Sequence, residues 1–117
     1  MGESITAKKS FAFAVRIVKL YQHLTKEKKE YVLSKQVLRS GTGIGANVSE
    51  AQRGQSRADF HAKMTIALKE ANETSYWIEL LYHTDYITTA EYESLHEDVD
   101  ELLRLLTAIC KTSAEEK

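Results

Sequence analysis

Apolar side chains recur at steps of three and four through nearly the whole chain, the spacing of helices with one buried face each. Phe11, Val15 and Val18 make one stripe, and Phe13, Ile17, Leu20 and Leu24 a neighbouring one. Together they predict a helix over about 5–24 with a wide buried face. The charged run Thr25–Glu30 (TKEKKE) reads as a solvated connection. The pattern resumes with Leu33, Val37, Leu38, Ile44 and Val48, predicting a second helix over about 30–53 that stops at Gly54 as its C′ residue. Ser56 caps a third helix over 57–83, with Asp59 as the weaker half of a capping box. Its stripe holds Phe60, Met64, Ala67, Leu68, Ala71, Ile78 and Leu81, widened by Trp77 and Leu80.

Thr88 followed by Glu91 is a full capping box for a fourth helix over about 89–112, with a frayed tail from Ser113 onward. Tyr92, Leu95, Val99, Leu102, Leu106 and Ile109 form its seam, a repeat suited to shallow crossing angles. Short connections make sequential helices antiparallel neighbours. The expected fold is all-α: an antiparallel up-down-up-down four-helix bundle filling residues 1–117 as one domain.

Composition narrows the class. The chain has 117 residues, no proline and a single cysteine, Cys110. One thiol excludes a disulfide framework and a multi-thiolate zinc site. No apolar run reaches the roughly 20 residues of a membrane span, and the start Met1-Gly2-Glu3-Ser4 does not read as a signal peptide. The expectation is a cytoplasmic protein with no membrane contact and no cofactor.

A net charge of −1 hides a split along the chain. Residues 1–69 hold 13 Lys and Arg against 5 Asp and Glu; residues 70–117 hold 3 against 12. Such a split points to an anionic partner for the basic half, to copies that join basic face to acidic face, or to two solvated faces of opposite sign. Lys9, Arg16, Lys19, His23 and Lys26 share the side of the first helix away from its apolar stripes. Lys35, Arg39 and Arg53 lie along one line of the second, with Thr42, Ala46 and Ser49 between them, and Arg57 and Lys63 extend the charge into the third. A basic surface over adjacent helices can track phosphates. Glu91, Glu93, Glu97, Asp98, Asp100 and Glu101 crowd the fourth helix as a surface for head-to-tail association.

Enzymatic constellations are thin. Glu93-x-x-His96 matches one arm of a di-iron bundle site, but no second Glu-x-x-His exists, so no metal site is expected. Arg16 and His23 have the loose spacing of bundle ribonucleases of the HEPN type. Cys110 beside the last core stripe reads as packing. Asn47-Val48-Ser49 is a glycosylation triplet without meaning inside a cytosolic helix. Gly41, Gly43 and Gly45 interrupt the second helix without the strand or the Gly-Lys-Ser/Thr of a phosphate loop, and read as close helix approach or a kink, or as close contact with a ligand or another subunit. Tyr76 with Trp77 reads as core and interface, with an aromatic stacking platform as the other reading.

The stretch from Ser34 to Leu81 closely resembles the 23S ribosomal RNA intervening-sequence proteins. Gln36, Arg39, Ser40, Ile44, Asn47, Glu50, Asp59, Phe60, Lys69, Glu70, Glu73, Thr74, Tyr76 and Trp77 carry the likeness. Phe13, Val18 and Tyr21 extend it to the first helix. Gly43 departs from a usual serine, and His61 from a usual apolar residue. The resemblance implies a left-handed antiparallel bundle and a homopentameric ring. It also implies kinship with the basic, nucleic-acid-binding accessory protein of diversity-generating retroelements, although the near-zero net charge departs from that pattern.

The combined expectation is a non-enzymatic homo-oligomer. The surface to watch is Lys35, Gln36, Arg39, Asn47, Glu50 and Arg53, with Arg16, Lys19 and Arg57 beside it. It would contact RNA or DNA, or join subunits, with Arg39 pairing to Glu70 or Glu73 of a nearby helix. A protein-interaction scaffold is the alternative, and a HEPN-like ribonuclease the more distant one.

Overall fold

The computed structural model describes residues 4–115. Among them are four helices and no strand: α1 (Ile5–Lys26), α2 (Leu33–Gln52), α3 (Arg57–His83) and α4 (Thr89–Glu115). Each touches its sequence neighbours, and α4 closes back on α1. Partners across each contact run in opposite order. Gly41 lies against Ile17 and Gly45 against Ser10. Arg39 reaches Glu73 while Glu50 reaches Lys63. His61 meets Ser113 while Tyr82 stacks on Tyr92. Lys9 pairs with Glu101 and Arg16 with Asp98. Every neighbouring pair is therefore antiparallel, the up-down-up-down order that short connections impose.

Three helix starts carry side-chain caps, of which those at Ser56 and Thr88 were expected from the sequence. Ser4 accepts from the Ala7 N–H at 2.9 Å, and Ser56 from the Asp59 N–H at 3.0 Å. Thr88 Oγ1 accepts from the Glu91 N–H at 3.1 Å while the Glu91 carboxylate accepts from the Thr88 N–H at 2.7 Å, a complete capping box. The start of α2 differs from expectation. Glu30, placed by sequence in a solvated connection, is buried and accepts from the N–H groups of Val32, Leu33 and Ser34 at 3.1, 3.0 and 2.7 Å. It satisfies three of the four donors that a helix start leaves open, so α2 begins at Leu33 rather than near residue 30. Lys29, at φ 56°, makes the turn that brings it there.

The other boundaries shift less. α1 continues two residues beyond its expected end, to Lys26. α4 runs through 113–115 instead of fraying, because Ser113 is buried and holds His61; residues 116 and 117 lie outside the described part. Gly54 stands at C′ as expected, just after the Arg53 cap, though without a positive φ. α2 closes instead with the Arg53 and Gly54 N–H groups turned back onto Glu50 and Ala51 carbonyls, both at 3.1 Å.

One core runs the length of the bundle. It contains Phe13, Ile17 and Leu24 of α1, and Val37, Ile44 and Val48 of α2. α3 adds Met64, Ile78 and Leu81, and α4 adds Leu95, Val99, Leu102 and Leu106. Ser40 and Thr74 enter it as a hydrogen-bonded pair, 2.9 Å apart. The glycines of α2 allow close approach. A Cβ on Gly41 would stand 2.7 Å from Ile17 Cγ1, and one on Gly45 3.2 Å from the Ser10 carbonyl.

The second apolar stripe of α1 is not buried. Phe11 is 71% exposed, and Val15 and Val18 are also open to solvent. A bundle helix touches two neighbours and the core on one side. Phe11, Val15 and Val18 stand about 160° around the helix from Phe13 and Leu20, on the side away from the core, with Phe11 at the rim of the groove beside α2. No helix among the described residues is long and apolar enough to cross a membrane.

Candidate nucleic-acid interface

The basic line along α2 divides into paired and unpaired members. Arg39 donates to Glu73, lies 3.6 Å from Glu70, and donates to Gln36 Oε1 at 3.2 Å. Trp77 Nε1 donates to the same Glu73 carboxylate at 3.0 Å, and Tyr76 meets the Trp77 ring edge-on at 5.2 Å. The Trp77 bond, joined by the bond and charge of Arg39 against an opposing cost of burial, holds the Glu73 carboxyl below the usual carboxylate range. Glu50 pairs with Lys63 at 2.9 Å. Asn47 turns its amide back to the Gly43 carbonyl at 2.8 Å. Arg39 therefore pairs with Glu70 and Glu73 within one chain. Arg39 and Glu50 thus bridge α2 to α3 from exposed positions, with Gln36 bonded to Arg39 on its own helix.

α1 and α4 divide in the same way. Arg16 lies 2.6 Å from Asp98 and donates to the Ser94 hydroxyl at 2.9 Å and to the Ser94 carbonyl at 3.3 Å. Lys9 pairs with Glu101 at 3.2 Å. The oppositely charged halves of the chain thus partly cancel inside one molecule. These pairs are well exposed, so each contributes only about 0.2–1 kcal/mol. Their larger consequence is to occupy cations that the charge pattern alone leaves open.

What remains on α1 and α2 is a smaller set, which includes Lys26 at the exposed end of α1. Lys19, Lys35 and Arg53 are exposed, and their side chains make no ion pair or hydrogen bond among the described residues. Lys8 joins them, although sequence reasoning passed over it. The signal was present in the spacing: each residue turns about 100° on a helix, so Lys8 faces away from α4 while its neighbour Lys9 faces Glu101. Arg57 is exposed in the first turn of α3, just after its Ser56 cap. His23 lines a hollow between α1 and α4 with Arg16, Lys19 and Glu91. Arg16 is paired with Asp98 there. Glu93 stays exposed, and His96 lies beside Tyr92 with ring centroids 5.4 Å apart.

A family model described as 23S rRNA-intervening sequence protein matches residues 3–108. The chain belongs to that family. A crystal structure of a protein with unknown function from the S23 ribosomal protein family of Bacteroides thetaiotaomicron VPI-5482 is similar throughout. It has a TM-score of 0.90 and 59% identity, over 92% of this chain and 99% of that one. No curated protein sequence matches the chain.

For a member of the intervening-sequence family, the residues that carry the resemblance prove largely architectural. Ser40, Ile44 and Thr74 are core; Arg39, Glu70, Glu73 and Trp77 are the α2–α3 seam. The two departures are accommodated locally. A Cβ at Gly43 would stand 2.6 Å from Glu70 Oε2, the mobile end of a side chain, and the His61 ring is satisfied by Ser113 at 2.5 Å.

Proposed function

We propose that this protein is a non-enzymatic, cytoplasmic binding protein that self-associates and holds nucleic acid on the cations its own fold leaves unpaired. The observation that carries the reading is the division of positive charge. Lys9, Arg16, Arg39 and Lys63 are closed on carboxylates of the same chain, whereas Lys8, Lys19, Lys35 and Arg53 stand open on α1 and α2. Unpaired cations on adjacent helices attract a polyanion at little desolvation cost, and each phosphate neutralised adds to the salt dependence of binding. Val15 and Val18, exposed on α1, support self-association, since apolar surface left open on a small domain commonly marks a contact. The family resemblance favours a pentameric ring.

The deciding experiment is fluorescence anisotropy with a structured RNA at several salt concentrations. Affinity should fall steeply with salt, and the triple variant Lys19→Ala, Lys35→Ala, Arg53→Ala should bind much more weakly than wild type. Equal affinity in the triple variant would overturn the reading. Sedimentation of Val15→Glu with Val18→Glu tests assembly: smaller particles are expected, and an unchanged mass removes these residues from the interface.

A second reading, a scaffold assembled through charge, draws on Glu93 and Glu97, which are exposed and unpaired among the described residues. Reversing both to lysine breaks the oligomer on that reading and leaves it intact on the first.

A further inference from the structure

Where α1 begins and α2 ends, the two helices part to form a cleft of about 650 Å³. Ala7 of α1 with Gly45 and Ser49 of α2 line it with small side chains. Phe11 lines it as well, with most of its ring exposed. Lys8 and Arg53 complete the lining, one from each helix, and no carboxylate among the described residues shares it. Gln52 closes one end by donating to the Ser4 hydroxyl at 2.7 Å.

Resting on the nucleic-acid reading above, we propose that this cleft takes an unpaired nucleotide of a single strand, its base stacked on Phe11 and its flanking phosphates on Lys8 and Arg53. A flat apolar ring beside two cations matches a ligand that is flat and apolar on one side and anionic on the other. A nucleotide in a single strand has that form, because its base face is bare, whereas a duplex hides base faces in the stack and offers phosphate alone. Small residues beneath leave room for a base to lie flat. Two other aromatic and cationic places lack one part of the set. Tyr76 is exposed, but it lies on α3 next to Trp77 and the acidic Glu73. The hollow at Lys19 and His23 contains Glu91, and its arginine is already paired.

The test uses the full chain with a short labelled oligouridylate and a fully paired RNA duplex of equal length. Wild type should prefer the single strand. Phe11→Ala should weaken single-strand binding about tenfold, the size of one lost stacking contact, with duplex binding unchanged, and Phe11→Trp should restore it. Lys8→Ala with Arg53→Ala should reduce the slope of affinity against salt by about 1.4, two phosphates' worth for a single strand. Phe11 is exposed, so its replacement leaves the core untouched, and sedimentation should give the wild-type mass. Single-strand binding unaffected by Phe11→Ala overturns the cleft while leaving the general nucleic-acid reading standing. A changed mass in Phe11→Ala also overturns it, because a second copy then occupies the cleft. Wild type that binds neither probe at low salt overturns both readings together.

Discussion

Glu30 and Ser34 hold each other at the start of α2. The Ser34 N–H donates to the Glu30 carboxylate at 2.7 Å, and the Ser34 hydroxyl donates to the Glu30 carbonyl at 2.8 Å. Burial raises the Glu30 pKa, but the N–H bonds from Leu33, Ser34 and Val32 together outweigh it and leave the carboxyl below its ordinary value. The stabilisation from this depressed pKa is therefore complete above the unfolded value of about 4.3 and is lost as pH falls through the lower folded value. Glu30→Gln should lower unfolding free energy by about 1–3 kcal/mol at neutral pH, read by urea denaturation. The difference between wild type and variant should shrink below about pH 4. A constant difference down to acid pH would count against a charged cap.

Gly41→Ala should be costly. Its Cβ would meet both branches of Ile17, at 2.7 and 2.8 Å, in the middle of the core. A loss of about 1–3 kcal/mol is expected from overpacking, with partial recovery when Ile17→Ala is added. Denaturation midpoints of the two single variants and the double variant measure the coupling.

Gly43→Ala should behave oppositely. The atom its Cβ meets is the carboxylate end of Glu70, which is free to swing aside. The gain in helix propensity, up to about 1 kcal/mol, should then outweigh the loosened contact. A melting temperature below wild type would show that Glu70 cannot move.

Trp77 is the chain's only tryptophan, so its emission reports directly on the seam. Glu73→Gln should move that emission by weakening the acceptor of the indole N–H, and should cost about 1 kcal/mol. The depressed Glu73 pKa gives the same sign as Glu30: the native emission should persist through neutral pH and change only as acid protonates Glu73. An emission spectrum unaltered by Glu73→Gln would place the indole bond elsewhere.

Arg16→Ala should leave RNA affinity nearly unchanged, because Asp98 and Ser94 already hold the guanidinium. Its cost should appear as about 0.2–1 kcal/mol of stability. A loss of RNA affinity equal to that of Lys35→Ala would mean the pair opens on binding.

How much of this was legible beforehand depends on the range of each interaction. The helices of the bundle, the Ser56 cap, the Thr88–Glu91 box and the α4 seam were readable because each is a local pattern of spacing or capping along a single helix. The glycines of α2 were readable as close approach, but not which neighbour each would meet. Glu30 escaped notice because its value as a cap depends on a left-handed turn at Lys29 that folds the chain back under α2. Phe11 and Phe13 are indistinguishable by residue type, and only the position of the neighbouring helices left one outside and the other at the centre.

For the candidate site the limit was the same. Residue order alone determined that the amino-terminal part is basic, that the carboxy-terminal part is acidic, and that helices carry both. Only the antiparallel packing decided that Arg16 spends its charge on Asp98 and Arg39 on Glu73, while Lys8, Lys19, Lys35 and Arg53 keep theirs for solvent. Charge is a property of the residue. Its availability depends on which side chains the fold brings within about 4 Å, where a charge pair gains far more than across a Debye length of water.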